Sequence, residues 1–173
     1  MKKIMFSLVC LLFVATAATA QQDKSKRPSP PDSVIIQTNS GLDLRIDYSK
    51  PSLKGRQLGV ELAPLGKVWR TGANETTTFD IKQDALVNGK ALPAGKYGLF
   101  SIPGETQTVL IFSKAWDQWG TRYDETKDAL RITVDNVMQA ATVEQFTIQA
   151  QADGKVRLLW GTVAVPFTIV AAP

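Results

Sequence analysis

The sequence predicts an all-β fold, an antiparallel β-sandwich (jelly-roll-like or immunoglobulin-like) of about nine strands. Three observations carry this. Apolar and polar residues alternate with period 2 in run after run. Asn-Gly, Pro-Gly and Asp-Gly turn signals recur at short spacing. No stretch of adequate length repeats with a period near 3.6, and residues 136–143 allow at most a short turn of helix. A flattened β-barrel is the alternative, because patterning does not fix strand order.

The elements follow in order. Ser33 to Thr38 carries Val34-Ile35-Ile36, a β-branched run. Leu42, Leu44, Ile46 and Tyr48 alternate with Asp43, Arg45 and Asp47, the pattern of a half-buried strand. Thr77, Phe79 and Ile81 do the same. Leu86-Val87 and Ala91-Leu92 flank Asn88-Gly89, the strongest short hairpin signal because both residues tolerate positive φ. Lys96 to Ile102 and Thr108 to Phe112 are apolar on both faces, as central strands are, and Pro103-Gly104-Glu105 joins them. Leu130, Ile132 and Val134 alternate with charged or polar residues, and Phe146 and Ile148 continue the pattern. Ala152-Asp153-Gly154 is a second hairpin turn, followed by Val156, Leu158 and Trp160, then by Val163, Val165, Phe167 and Ile169. Pro166 places that last run on a sheet edge, since proline cannot donate to a ladder.

Met1 to Ala20 reads as a secretory signal peptide. Lys2 and Lys3 are its basic start, Ile4 to Val14 its apolar run, and Ala18-Thr19-Ala20 its small-residue cleavage site. The expected product is exported, periplasmic or extracellular, and soluble. The single cysteine, Cys10, lies inside the signal behind Val9, which does not fit a lipid anchor. The exported chain then has no disulfide and depends on an ordinary apolar core. No later segment is apolar enough to span a membrane. Gln21 to Asp32 offers nothing but proline to bury and reads as a disordered Pro-rich spacer, leaving 33–173 as one domain.

Charge and composition exclude several functions. The chain has 20 Lys+Arg and 16 Asp+Glu, yet from Ser33 onward the counts are 15 and 14. A near-neutral domain lacks the concentrated basic footprint of a nucleic-acid binder. There is no histidine, which removes Ser-His-Asp and Cys-His catalysis and histidine metal sites.

Residues 64–79 hold the densest polar cluster. Lys67, Trp69, Arg70, Asn74 and Glu75 fall within nine positions around Gly72. Trp69 offers a flat face for stacking, Arg70 a bidentate fork, and Asn74 both a donor and an acceptor. The spacing also allows an Arg70–Glu75 pair, either orienting a site or simply fixing a turn. A second cluster, Lys114 to Asp128, contains Trp116, Asp117, Trp119, Tyr123 and Asp124. It is either an aromatic platform for a polar ligand or a long loop pinned by its aromatics. Its carboxylate spacing does not match a calcium loop, so no metal or cofactor is expected. Lys50, Lys54 and Arg56 form a basic loop, facing either an anion or solvent.

The segments 48–56 (Tyr48-Ser49-Lys50-Pro51 through Arg56), 66–75 (Gly66-Lys67-Val68-Trp69-Arg70-Thr71-Gly72-Ala73-Asn74-Glu75) and 92–103 (Leu92-Pro93-Ala94-Gly95-Lys96-Tyr97-Gly98-Leu99-Phe100 to Pro103) resemble a secreted bacterial family. That family is catalogued as a domain of unknown function, family 2911. Trp119-Gly120, Tyr123-Asp124 and Asp128-Ala129-Leu130-Arg131 fit the same pattern. The resemblance covers nearly all of the domain and implies an exported, β-rich, single-domain protein. It brings no activity and no catalytic residue. Leu65 stands where the family often has Tyr or Phe.

The expected function is that of a non-enzymatic binding module for a polar ligand, with a glycan or cell-envelope fragment fitting best. Trp69, Arg70, Asn74 and Glu75 would form the site with Trp116 and Trp119 nearby. One alternative is a small hydrolase with paired carboxylates drawn from Glu61, Glu75, Asp80, Asp117 and Asp124. Another is an assembly domain that meets an exported protein partner through an edge strand.

Overall fold

A computed structural model describes residues 23–173. The signal-peptide reading and Cys10 lie outside the described residues. Ten strands form two antiparallel sheets. They are β1 (Pro31–Gln37), β2 (Asp43–Ser49), β3 (Thr78–Ile81), β4 (Ala85–Val87), β5 (Lys90–Leu92), β6 (Gly95–Pro103), β7 (Gln107–Ser113), β8 (Asp128–Asp135), β9 (Val137–Ala150) and β10 (Lys155–Ala171). One sheet has the order β1-β2-β3-β6-β7-β8 and the other β5-β4-β10-β9. The sheets stay separate, so the fold is the sandwich and not the flattened barrel.

Alternation builds the core. Leu42, Leu44, Ile46 and Tyr48 are all buried, while Arg45 between them is exposed. Phe79 of β3, Phe112 of β7 and Phe167 of β10 meet between the sheets, with Phe79 and Phe112 edge to face at 5.1 Å. Asn88-Gly89 turns β4 into β5, and Val87 pairs with Lys90 across it. Phe100 and Ile111 are also buried but lie outside this core, on the opposite face of their sheet.

Three expectations need correction. The strand carrying Pro166 is not an edge, since β10 lies between β4 and β9. Pro166 is tolerated because it falls between the stretch paired with β9, which ends at Ala164, and the stretch paired with β4, which starts at Ile169. Residues 137–143 are extended in β9 rather than helical. Residues 23–32 also differ from a free spacer. They make a 3-10 turn at Lys24–Lys26, begin β1 at Pro31, and are tied to the domain where Lys50 donates its amide to the Pro30 carbonyl at 2.9 Å.

Strand β10 is not straight. The Ile169 amide donates to the Gly154 carbonyl at 2.8 Å, although a straight strand would set them about 50 Å apart. The reversal falls at Gly161, whose φ of 58° favours glycine, and the pairing with β9 shifts register on both sides of it. Val156–Trp160 and Val163–Ile169 are therefore two arms of one bent strand. This corner leaves one end of the sandwich unfilled.

Candidate functional site

The segment around Trp69 runs alongside β6 in the lane that β3 leaves empty. Trp69 donates its amide to the Ser101 carbonyl at 2.7 Å and accepts from the Ser101 amide at 2.8 Å. In extended backbone, neighbouring side chains point to opposite faces. Trp69 turns inward, stacking on Trp160 with centroids 5.3 Å apart and meeting Phe146 at 5.2 Å. Arg70 turns outward, where its side chain packs on Gly120 and its guanidinium reaches the Asn74 carbonyl at 3.5 Å. The cluster that sequence places together is thus split between two faces.

The predicted Arg70–Glu75 pair does not form. Glu75 is taken by the N-terminal segment, accepting two hydrogen bonds from Arg27 at 2.9 and 3.0 Å and pairing with Lys24 at 3.0 Å. Burial pushes its carboxyl up, but its own backbone amide, Arg27 and Lys24 outweigh this and hold the pKa at about 2. Burial lowers the pKa of Arg70, which has no carboxylate partner among the described residues. Asn74 donates to the Ser29 carbonyl at 3.0 Å, a second tie to the same segment. Lys67 is exposed.

The second cluster lies against the first. Thr76 and Gly120 donate their amides to Gln118 and Asn74, which sets Trp119 opposite Glu75. Trp119 is 47% exposed. Trp116 lies under the Lys96 ammonium, 4.5 Å from its ring centre. Tyr123 packs on Phe100 at 5.1 Å, donates to Asp128 at 2.8 Å and accepts from Arg131 at 2.6 Å. Asp124 caps the 3-10 turn Glu125–Lys127 by accepting from the Thr126 amide, and Asp117 is exposed. Most of this loop's aromatics therefore pin it over the outer face of β6 and β7, while Trp119 stays open.

Of the carboxylates considered for hydrolysis, Glu61, Glu75, Asp80 and Asp124 are held by other partners and Asp117 is exposed, and no two of them are paired with one another. Glu61 accepts from the Gln57 amide, Asp80 pairs with Lys82, and Glu75 and Asp124 are bound as described. Among the described residues, no group of three or more acidic, His or Cys side chains is placed to hold a metal ion. No helix among them is long and apolar enough to cross a membrane.

One concave feature is walled mainly by aromatic and aliphatic side chains, and the sequence did not indicate it. A cavity of about 400 Å³ opens at the β9–β10 corner, under the loop after β2. Trp69, Phe146, Leu158, Trp160, Val163 and Val165 wall it, and Leu58, Ala63 and Leu65 roof it. Its mouth is marked by lining residues that are also exposed, namely Arg56, Leu65, Glu105, Thr142 and Thr162. In the basic loop, Lys50 pairs with Asp32 at 3.0 Å and Lys54 is exposed, so only Arg56 of the three lines the cavity.

The family described as Protein of unknown function (DUF2911) matches residues 29–169. The chain belongs to that family. No curated protein and no solved structure matches it. The stretches that carry the DUF2911 resemblance map onto both features. Leu53, Arg56 and Trp69 line the cavity, whereas 70–75 and 119–124 form the outer seam. Trp160 and Phe146, which complete the cavity wall, come from strands that read by themselves as ordinary core.

Proposed function

We propose that this protein is an exported binding module that holds a ligand with an apolar body in the cavity between its sheets. The observation that carries the reading is the open cavity of about 400 Å³, walled by Trp69, Trp160 and Phe146. Its volume falls in the range of small-molecule sites, roughly 300–1,000 Å³. A natural core fills such gaps, because unfilled apolar space forfeits packing contacts. A gap kept open at a corner costs stability, as binding sites commonly do. The test is titration of the purified protein with 8-anilinonaphthalene-1-sulfonate, reading tryptophan quenching. Saturable one-to-one binding is expected, with its loss in Leu58→Trp, which fills the cavity. Absence of saturation, or equal binding by the filled variant, overturns the reading.

Export rests on the pattern of Met1 to Ala20. The mass of protein recovered outside the cytoplasm should begin at Gln21. Cytoplasmic protein that retains Met1 to Ala20 would contradict it.

A second reading, a polar ligand such as a glycan on the outer seam, is supported by Trp119. It is 47% exposed and adjoins Arg70, a cation with no carboxylate partner among the described residues. Binding to a glycan panel that Trp119→Ala abolishes is its expected signature, and an empty panel removes it.

A further inference from the structure

The cavity's chemistry also specifies its ligand, on the footing of the binding reading above. We propose that it takes a single-chain amphiphile with one acidic head group, the chain lying against Trp69 and Trp160 and the head meeting Arg56 at the mouth. The interior offers an incoming polar group little to bind. Ser101 Oγ already accepts from Thr71 at 2.9 Å. Thr108 donates to Asn136 Oδ1 at 2.7 Å, and Asn136 Nδ2 donates to the Gly104 carbonyl at 2.9 Å. The Trp160 indole N–H donates to the Glu144 carbonyl at 3.3 Å. With most of this capacity used within the protein, a hydroxyl-rich ligand would be desolvated there for little return, whereas an alkyl chain loses nothing.

The mouth is different. Arg56 Nε donates to the Leu53 carbonyl at 3.1 Å and Nη2 to the Ser52 carbonyl at 2.9 Å. These two bonds fix the direction of the guanidinium and leave its charge unneutralised. Nη1 has no partner among the described residues, so a donor edge remains for a carboxylate or phosphate. Arg56 is the single cation of the lining, whose other charged residue is Glu105, so one acidic group is the most that it can neutralise. The volume is that of one small ligand, which sets one chain rather than two.

Calorimetric titration of the purified protein with dodecanoate, dodecyl phosphate and dodecanol tests this. Arg56 is exposed and bonds only carbonyls of its own loop, so any structural effect of Arg56→Gln is local and is read by the dodecanol titration. Arg56→Gln should weaken dodecanoate and dodecyl phosphate about five- to tenfold and leave dodecanol unchanged. Arg56→Lys should retain part of the difference. A larger loss for one acid names the source of the head group. If Arg56→Gln weakens neither acid, or weakens dodecanol equally, the head-group assignment falls while the cavity reading stands. If none of the three chains binds the wild-type protein, both fall.

Discussion

Trp69 and Trp160 lie nearly face to face across the gap between the sheets, their ring planes 18° apart. Trp69 is bonded to β6 of the six-stranded sheet, and Trp160 is part of β10 in the other. Phe146 meets both edge-on, at 5.2 and 5.9 Å. The trio ties the two layers together at the end where the bend at Gly161 has thinned the core.

Removing one ring should therefore loosen the whole corner. Burial and aromatic contact at such a site are worth about 3–5 kcal/mol on truncation to alanine. Trp69 is only partly buried, so Trp69→Ala should cost about 2–3 kcal/mol, measured by urea unfolding. Trp69→Phe should recover roughly half of that. An unchanged urea midpoint in Trp69→Ala would show that the stack ties nothing together.

The same residue shows what the sequence reveals and what it hides. The alternation of Leu42 to Tyr48 was legible because a strand writes its two faces into adjacent positions. The opposite facing of Trp69 and Arg70 follows from the same rule, but Gly72 and the turn residues around it disguised 69–70 as loop. The cavity had no local signature at all. Its walls come from Leu58, Trp69, Phe146 and Trp160, brought together only by the corner in β10. The partners of Glu75 were hidden for another reason. Lys24 and Arg27 sit in a stretch with only proline to bury, and composition registers hydrophobic burial but not ion pairs made with a distant surface.

Glu75 gives the N-terminal segment a pH-dependent hold. Its folded pKa of about 2 lies below the ordinary 4.5. Its stabilising contribution is therefore fully present above pH 4.5 and is lost as pH falls towards 2. The side chain is 41% exposed, so solvent screening limits this to about 1 kcal/mol. Glu75→Gln should be less stable than wild type by that amount at pH 7, and the gap should close between pH 4.5 and 2. Salt should narrow it as well. A gap that stays constant with pH would mean that Lys24 and Arg27 do not hold the carboxylate.

The tyrosines provide a test at the other end of the scale. Burial raises Tyr48 and Tyr123 to about 12, in each case reinforced by a neighbouring carboxylate, Asp32 or Asp128. Burial raises Tyr97 as well, aided by Asp84. These phenols are the only three in the chain. The neutral forms of Tyr48 and Tyr123 stabilise the fold below the ordinary value of 10, and that contribution is lost as pH rises through 12. The absorbance change of Tyr48 and Tyr123 at 295 nm should therefore come close to pH 12, together with unfolding. A step of two or more tyrosines near pH 10 in folded protein would contradict the burial of Tyr48 or Tyr123.

Gly120 is where the two outer segments touch. A Cβ built there would lie 2.5 Å from Arg70 Cδ, 3.0 Å from Arg70 Cβ and 3.0 Å from the Asn74 carbonyl oxygen. Arg70 Cδ can swing away, but Asn74 O belongs to the backbone and also accepts the Gly120 amide at 3.1 Å. Alanine must therefore push the 114–124 loop off the Asn74–Thr76 segment. Overpacking of this kind costs about 1–3 kcal/mol. Gly120→Ala should destabilise by that order and speed hydrogen exchange at the Thr76 and Gly120 amides, which bridge the two segments. Combining it with Arg70→Ala removes the closest of the three contacts, the one with Cδ, and should restore part of the loss. If the double variant is no more stable than Gly120→Ala, the obstruction is the Asn74 carbonyl and the Arg70 Cβ, and the long Arg70 side chain beyond Cβ plays no part in it.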